Sequence, residues 1–82
     1  MSLLSCYILT FNSQKYLNEV LEPISQITDD IVLLDSGSSD NTKDIGKKFN
    51  ARFIHRKFDD FKTQRNYAAS QCLHNYVMFV VA

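Results

Sequence analysis

Four short apolar runs punctuate this chain, and a helix-length segment separates each from the next. Leu3–Thr10 and Asp30–Asp35 show little alternation of polar and apolar residues. A run of that kind suits a strand buried on both faces, the usual state in a parallel sheet. Ala51–His55 and Tyr76–Val81 supply a third and a fourth strand. After the first run, Tyr16, Leu17, Val20, Leu21, Ile24 and Ile27 recur with helical spacing and make one apolar stripe. Asn12 or Ser13 is a suitable N-cap for that helix, and Pro23 should kink it or end it early. A second helix is expected over Thr42 to Phe49. Lys47 and Lys48 suit its C-terminal dipole, and Asn50 suits a left-handed terminator. Asp59 and Asp60 can cap a third helix, on which Phe61, Arg65, Ala68, Ala69 and Cys72 share the inward face.

The order β-α-β-α-β-α-β places the chain in the α/β class. It implies a single Rossmann-like unit over residues 1–82, with a mainly parallel four-stranded sheet and right-handed crossovers. In such sheets ligands bind outside the carboxyl ends of the strands, near a switch in strand order. Nine basic and nine acidic residues cancel, which removes the electrostatic case for nucleic acid or an anionic surface as partner. Cys6 and Cys72 have neither disulfide nor metal-ligand spacing and read as buried free thiols of a reducing compartment. The N-terminus has no signal-peptide pattern. Tyr76–Ala82, the longest uncharged apolar run, is far below the ~20 residues of a membrane span. A soluble, cytoplasmic chain without a transmembrane segment is therefore expected.

Three places lie at strand ends: Thr10-Phe11-Asn12, Asp35-Ser36-Gly37, and the region after Val81. No glycine-rich phosphate loop is present, so a dinucleotide-binding or P-loop enzyme is not expected. Thr10 and Asn12 offer short polar groups, and Phe11 offers a flat face for a base. The same three residues would also make a helix cap plus a core aromatic. Asp35 can accept hydrogen bonds from a nucleobase or ribose, and an apolar strand has little packing reason to end in Asp. Gly37 allows a sharp turn beside a ligand. Asp40 reads as a helix cap. Arg65, placed inward, needs Asp35 or a bound diphosphate as partner, unless its head reaches water. His55 and His74 have no ligand-spaced companions, and Lys43, Lys47, Lys48, Arg56, Lys57 and Lys62 read as solvated charges. No metal site and no catalytic residue is assigned.

Two stretches carry a resemblance. Ile8-Leu9-Thr10-Phe11-Asn12 closes the first strand, and Asp35-Ser36-Gly37-Ser38-Ser39-Asp40-Asn41-Thr42 follows the second. With the later Arg65-Asn66, they resemble the N-terminal part of the family-two glycosyltransferases of GT-A fold. Asp-Ser-Gly in place of Asp-Asp-Gly is similar to the lipopolysaccharide-core branch. The resemblance implies a parent enzyme that moves a sugar, with inversion, from a nucleotide donor to a glycan or lipid-linked acceptor. It implies a UDP-type nucleotide or nucleotide-sugar partner, Mg²⁺ or Mn²⁺ in the parent, and a parent working at the inner face of the membrane. Thr10, Phe11 and Asn12 would line the nucleotide pocket. Asp35 and Ser36 would lie by uracil or ribose, and Arg65 by the nucleotide or its diphosphate.

One departure stands out against that family. Its fourth strand runs into Asp-x-Asp, whose carboxylates hold the cation. Here Val81 and Ala82 stand in the first two of those positions. The unit is thus expected to stop before the metal-binding and acceptor parts, to hold no cofactor itself and to be inactive alone. Two other readings stay open: a stand-alone nucleotide-binding or regulatory module, and a degenerate structural fragment. In the latter, the exposed last strand would favour self-association. A receiver domain or a haloacid-dehalogenase-type phosphatase would require acidic residues after the first strand, where Thr10-Phe11-Asn12 stands.

Overall fold

A computed structural model describes residues 4–81. The strands are β1 (Leu4–Thr10), β2 (Asp30–Asp35), β3 (Arg52–His55) and β4 (Tyr76–Val81). The helices are α1 (Gln14–Ile24), α2 (Thr42–Lys48) and α3 (Phe61–Ser70). All three strand pairs are parallel, in the order β3-β2-β1-β4. Leu3 and Ala82, included in the sequence expectations, lie outside the described residues.

The order of the strands explains the layers. The chain steps outward from β1 to β2 to β3, then returns to the far side of β1 for β4. Right-handed crossovers place helices on opposite faces for opposite directions of travel. Accordingly α1 and α2 cover one face and α3 covers the other. On the first face Cys6, Ile8, Ile31 and Leu33 pack with Leu17, Leu21 and Ile24. On the second face Tyr7, Val32, Leu34 and Ala68 come together. β2 lies in the middle and is buried along its whole length, which is why its apolar residues run without alternation. Each fully buried Leu or Val there stabilises the fold by about 1.5–3 kcal/mol. Gly46 lets α2 approach this layer, because a Cβ there would meet Leu33 Cδ1 at 2.6 Å.

Several local expectations shift. α1 ends at Ile24, one residue past Pro23, and Tyr16 and Ile27 stay exposed, so its buried stripe is only Leu17, Leu21 and Ile24. Asp60 caps α3 by accepting from Thr63 N–H at 2.8 Å. The inward face of α3 is Gln64 and Ala68, with Ala69 and Cys72 partly buried beside them. Phe61 and Arg65 are exposed, so the expected face was rotated by about one residue. Asn50 has a φ of 59°, the left-handed terminator its identity suggested. Both cysteines are free. Burial, with Cys72 nearby, pushes the Cys6 thiol up to about 11.

Candidate functional site

The carboxyl ends of β1 and β2 lie side by side, and the two loops that follow are sewn together. Ser36 N–H donates to Thr10 O at 3.1 Å. Asn12, at a φ of 48°, donates its N–H to Ser38 Oγ at 2.7 Å and accepts from Ser39 N–H at 2.8 Å. Ser13 N–H donates to Thr42 Oγ1, and Asn41 N–H donates to Gln14 Oε1. Asp40 serves both helices. One carboxylate oxygen accepts from Gln14 N–H at the start of α1, and the other from Thr42 N–H at the start of α2. Ser13 is the N-cap of α1 by position, yet its side chain makes no capping bond. The cap comes from Asp40 instead, across 26 residues of sequence. A carboxylate at two helix N-termini also complements both dipoles.

Asp35 anchors this arrangement. It is 1% exposed, and each of its oxygens accepts two hydrogen bonds. Thr10 Oγ1 and Ser38 Oγ donate to one, and the N–H groups of Gly37 and Ser38 donate to the other. Burial pushes its carboxyl up, but the Ser38, Thr10 and Gly37 donors together hold it below the ordinary 3.8. The strand therefore does have a packing reason to end in Asp, contrary to the sequence expectation. Gly37 adopts a φ of 121°, a region that favours glycine.

Beside these loops, on the α3 face, lies a cavity of ≈ 520 Å³. Leu9, Thr10, Phe11, Ser36, Phe58, Phe61, Gln64 and Phe79 line it. Phe11, Phe58, Phe61 and Phe79 are 61%, 42%, 69% and 36% exposed, so an aromatic surface is left open to whatever fills the cavity. Phe58 and Phe61 meet edge to face at 5.0 Å, and Phe79 stacks on Tyr7 at 5.0 Å. A more open hollow of ≈ 740 Å³ lies at the amino end of the sheet, lined by the turns after α1 and α2. The carboxyl-end cavity is the stronger candidate, because strand ends, the loop motif and the switch in strand order beside β1 converge there.

The expected site residues divide into three groups. Thr10, Phe11 and Ser36 line the cavity, and Phe11 is not a core aromatic. Asn12 and Asp35 stand behind them and set the loops. Arg65 does not face the interior. Among the described residues its side chain has no hydrogen-bonded or ion-paired partner, and its guanidinium lies 5.0 Å from the Phe79 ring centroid. Arg56, read as a solvated charge, is instead built in. It forks onto Asp59 at 3.1 and 3.2 Å, bonds Gln64, and lies 5.2 Å from the Tyr67 ring centroid. His74 pairs with Asp29 at 2.9 Å. Phe58, Phe61, Gln64 and Phe79 were not assigned to the site from sequence. The available signal was Phe58-Asp59-Asp60-Phe61, two large aromatics flanking a helix cap where neither has a core to enter.

The residues present do not form a cation site: among the described residues no three His, Cys, Asp or Glu side chains gather to hold a metal. No helix among them is long and apolar enough to cross a membrane.

Comparison with known proteins agrees with this fold. An uncharacterized glycosyltransferase of Rickettsia typhi is 27% identical over 82 residues, all of this chain and 28% of the relative. A counterpart in Rickettsia conorii is 27% identical over 79 residues, 96% of this chain and 28% of that protein. The chain thus spans little more than a quarter of these relatives' length. Among solved structures, TarS of S. aureus superimposes with a TM-score of 0.81 at 27% identity, covering 99% of this chain and 27% of that one. Glucosyl-3-phosphoglycerate synthase of Mycobacterium tuberculosis, solved with Mn²⁺, UDP and glucosyl-3-phosphoglycerate, gives 0.78 at 20% identity, covering 98% of this chain and 33% of that one. Residues 5–80 match glycosyl transferase family 2. With nearly the whole chain inside that match and a four-stranded parallel GT-A-like sheet beneath it, the protein belongs to glycosyl transferase family 2.

Proposed function

We propose that this chain is the nucleotide-sugar-binding segment of a glycosyltransferase that moves a sugar from a UDP-type donor to a glycan or lipid-linked acceptor. The observation that carries the reading is the cavity at the carboxyl ends of β1 and β2, whose open phenylalanines suit a planar base. The synthase that shares the fold was solved with UDP, which supports the same ligand class. In this proposal the base enters among Phe11, Phe58, Phe61 and Phe79, with Thr10 and Ser36 available to its polar edge or the ribose. Asn12 and Asp35 act through the turns they hold. Asp35 and Asp40 have no basic partner among the described residues, so the anionic diphosphate should point away from them, toward the free Arg65 guanidinium.

The segment alone is proposed to be inactive. Departure of a nucleoside diphosphate is eased by a hard cation, and the acceptor hydroxyl requires a base. The parent is proposed to take Mg²⁺ or Mn²⁺ on residues that this segment does not provide, since Val81 has no ligating atom. The Asp-Ser-Gly turn supports the lipopolysaccharide-core branch as the parent's subfamily, with the parent at the inner face of the membrane. β4, an edge of the described sheet with Tyr76 and Val77 exposed, is proposed to favour self-association of the isolated chain.

Titrating the chain with UDP, UMP and inorganic phosphate by NMR tests the nucleotide reading. Shifts should appear at Thr10–Phe11, Ser36 and Phe79 with UDP and UMP. Shifts confined to phosphate, or spread over the amino end of the sheet, would overturn it.

A further inference from the structure

Gln64 is the one large polar side chain of α3 that is fully buried, at 1% exposure, and it lines the aromatic cavity. Both ends of its carboxamide are used, and both go to one residue. Oε1 accepts from Arg56 Nη1 at 2.7 Å, and Nε2 donates to Arg56 O at 3.1 Å. Arg56 opens the loop that joins β3 to α3, and its own N–H is tied to Asp35 O at 2.8 Å. Its guanidinium then turns back to fork onto Asp59. Between those two anchors sits Phe58, half-exposed, which forms one wall of the cavity.

We infer that Gln64 is a positioning residue for the ligand: through Arg56 it latches the 56–60 loop and so fixes the Phe58 wall against which a base would stack. The inference rests on the nucleotide reading of the cavity. An amide is costly to bury unless it is hydrogen-bonded, and it is unnecessary for packing, since Met or Leu would fill a similar volume. Its two bonds to one arginine give a loop of five residues a single geometry. Stacking is sensitive to that geometry, and a wall that wanders must be ordered again each time ligand binds. The arrangement also links the cavity to β2, because the Arg56 backbone continues the ladder from Asp35, the residue that shapes the opposite wall.

The test uses the 82-residue chain and two substitutions, Gln64→Met and Gln64→Glu. Two signals are recorded: amide hydrogen exchange across residues 57–60, and UDP affinity. Gln64→Met keeps the volume and removes both bonds. It should speed exchange in 57–60 by about tenfold or more while β1 and β2 keep their protection, and weaken UDP by about tenfold. Gln64→Glu keeps the acceptor for the guanidinium and loses the donor to Arg56 O, so both effects should be smaller. Unchanged exchange in Gln64→Met overturns the latch, whatever UDP does. Faster exchange with unchanged UDP affinity overturns its role in binding. A wild-type chain that does not bind UDP sinks the nucleotide reading instead, and the latch is then decided by exchange alone. Global loss of protection in Gln64→Met would leave Gln64→Glu to decide, with selective loosening of 57–60 expected and no change overturning the proposal.

Discussion

β2 begins and ends with a buried aspartate, and the two ends are solved differently. Asp30 at the amino end and Asp35 at the carboxyl end are 3% and 1% exposed. Each carboxylate oxygen in both accepts two hydrogen bonds. At Asp30 one oxygen takes Arg52 Nε and Nη2, at 3.2 and 2.8 Å. Its other oxygen takes Ser5 Oγ and Leu73 N–H. At Asp35 all four donors are neutral. The amino end is therefore closed as a neutral ion pair that ties β1, β2, β3 and the α3–β4 turn together. The carboxyl end keeps its negative charge and spends its hydrogen bonds on shaping loops that border a cavity. Identical residues with identical saturation thus serve a structural clamp at one end and a site framework at the other, and the difference lies in whether a cation is among the donors.

Removing the clamp should have the largest effect. Asp30→Ala leaves the Arg52 charge without its counter-ion, with only Gln71 O still accepting from it, and leaves the Leu73 N–H and Ser5 hydroxyl without that acceptor; it should cost about 3 kcal/mol in urea unfolding. Arg52 is 41% exposed and can rehydrate, which keeps the figure at the low end of the range for buried pairs. Asp35→Ala should cost about 2 kcal/mol: its Gly37 and Ser38 donors lie near the loop surface and can turn to water, while the buried Thr10 hydroxyl loses its acceptor. It should also remove UDP binding beyond what its stability loss explains. An Asp35 substitution costlier than the Asp30 one would break the comparison.

Gly37→Ala separates conformation from charge. A Cβ would find room, with His55 Nε2 at 3.7 Å, so the expected loss of about 1–2 kcal/mol comes from the φ of 121°. Acid should act on both ends more gently than deletion, because protonation removes charge but leaves the hydrogen-bonding groups in place. At Asp30 burial pushes the carboxyl up, but the Ser5, Leu73 and Arg52 contacts outweigh it, and both carboxylates titrate below the ordinary 3.8. A depressed native value means the stabilisation is complete above the unfolded pKa of about 3.9 and is lost as pH falls through the lower native values. Urea midpoints should be flat above that region and fall below it. Each single aspartate variant should show a shallower fall. Arg65→Gln should change stability by less than about 0.5 kcal/mol, as an exposed cation over a ring. A loss of UDP affinity of about fivefold in that variant would sharpen the view that, with Arg56 committed to Asp59, the cation that meets the ligand comes from α3.

How far the site was legible depended on how local its causes were. The Asp35-to-Thr42 motif could be seen in sequence because a strand end, a turn and a helix start each have characteristic residues. Its main use could not be seen: Asp40 caps α1 as well as α2, and Asn12 bonds Ser38 and Ser39, across gaps of 26 and 27 residues. Arg65 was misplaced because a one-residue rotation of α3 exchanges inward for outward, and only packing against Tyr7, Val32 and Leu34 selects Ala68 with Gln64.

Sequence alone determined the succession of strands and helices, their parallel arrangement and the family pattern. These follow from apolar periodicity and from proline and glycine geometry, which act within a few residues. Only the tertiary structure decided that α3 crosses to the opposite face, that four phenylalanines are left open around one cavity, and that Gln64 holds Arg56. It also decided that β2 ends in two different kinds of carboxylate. Those outcomes depend on which distant groups meet, because a buried polar atom takes whatever partner the fold brings within hydrogen-bonding distance.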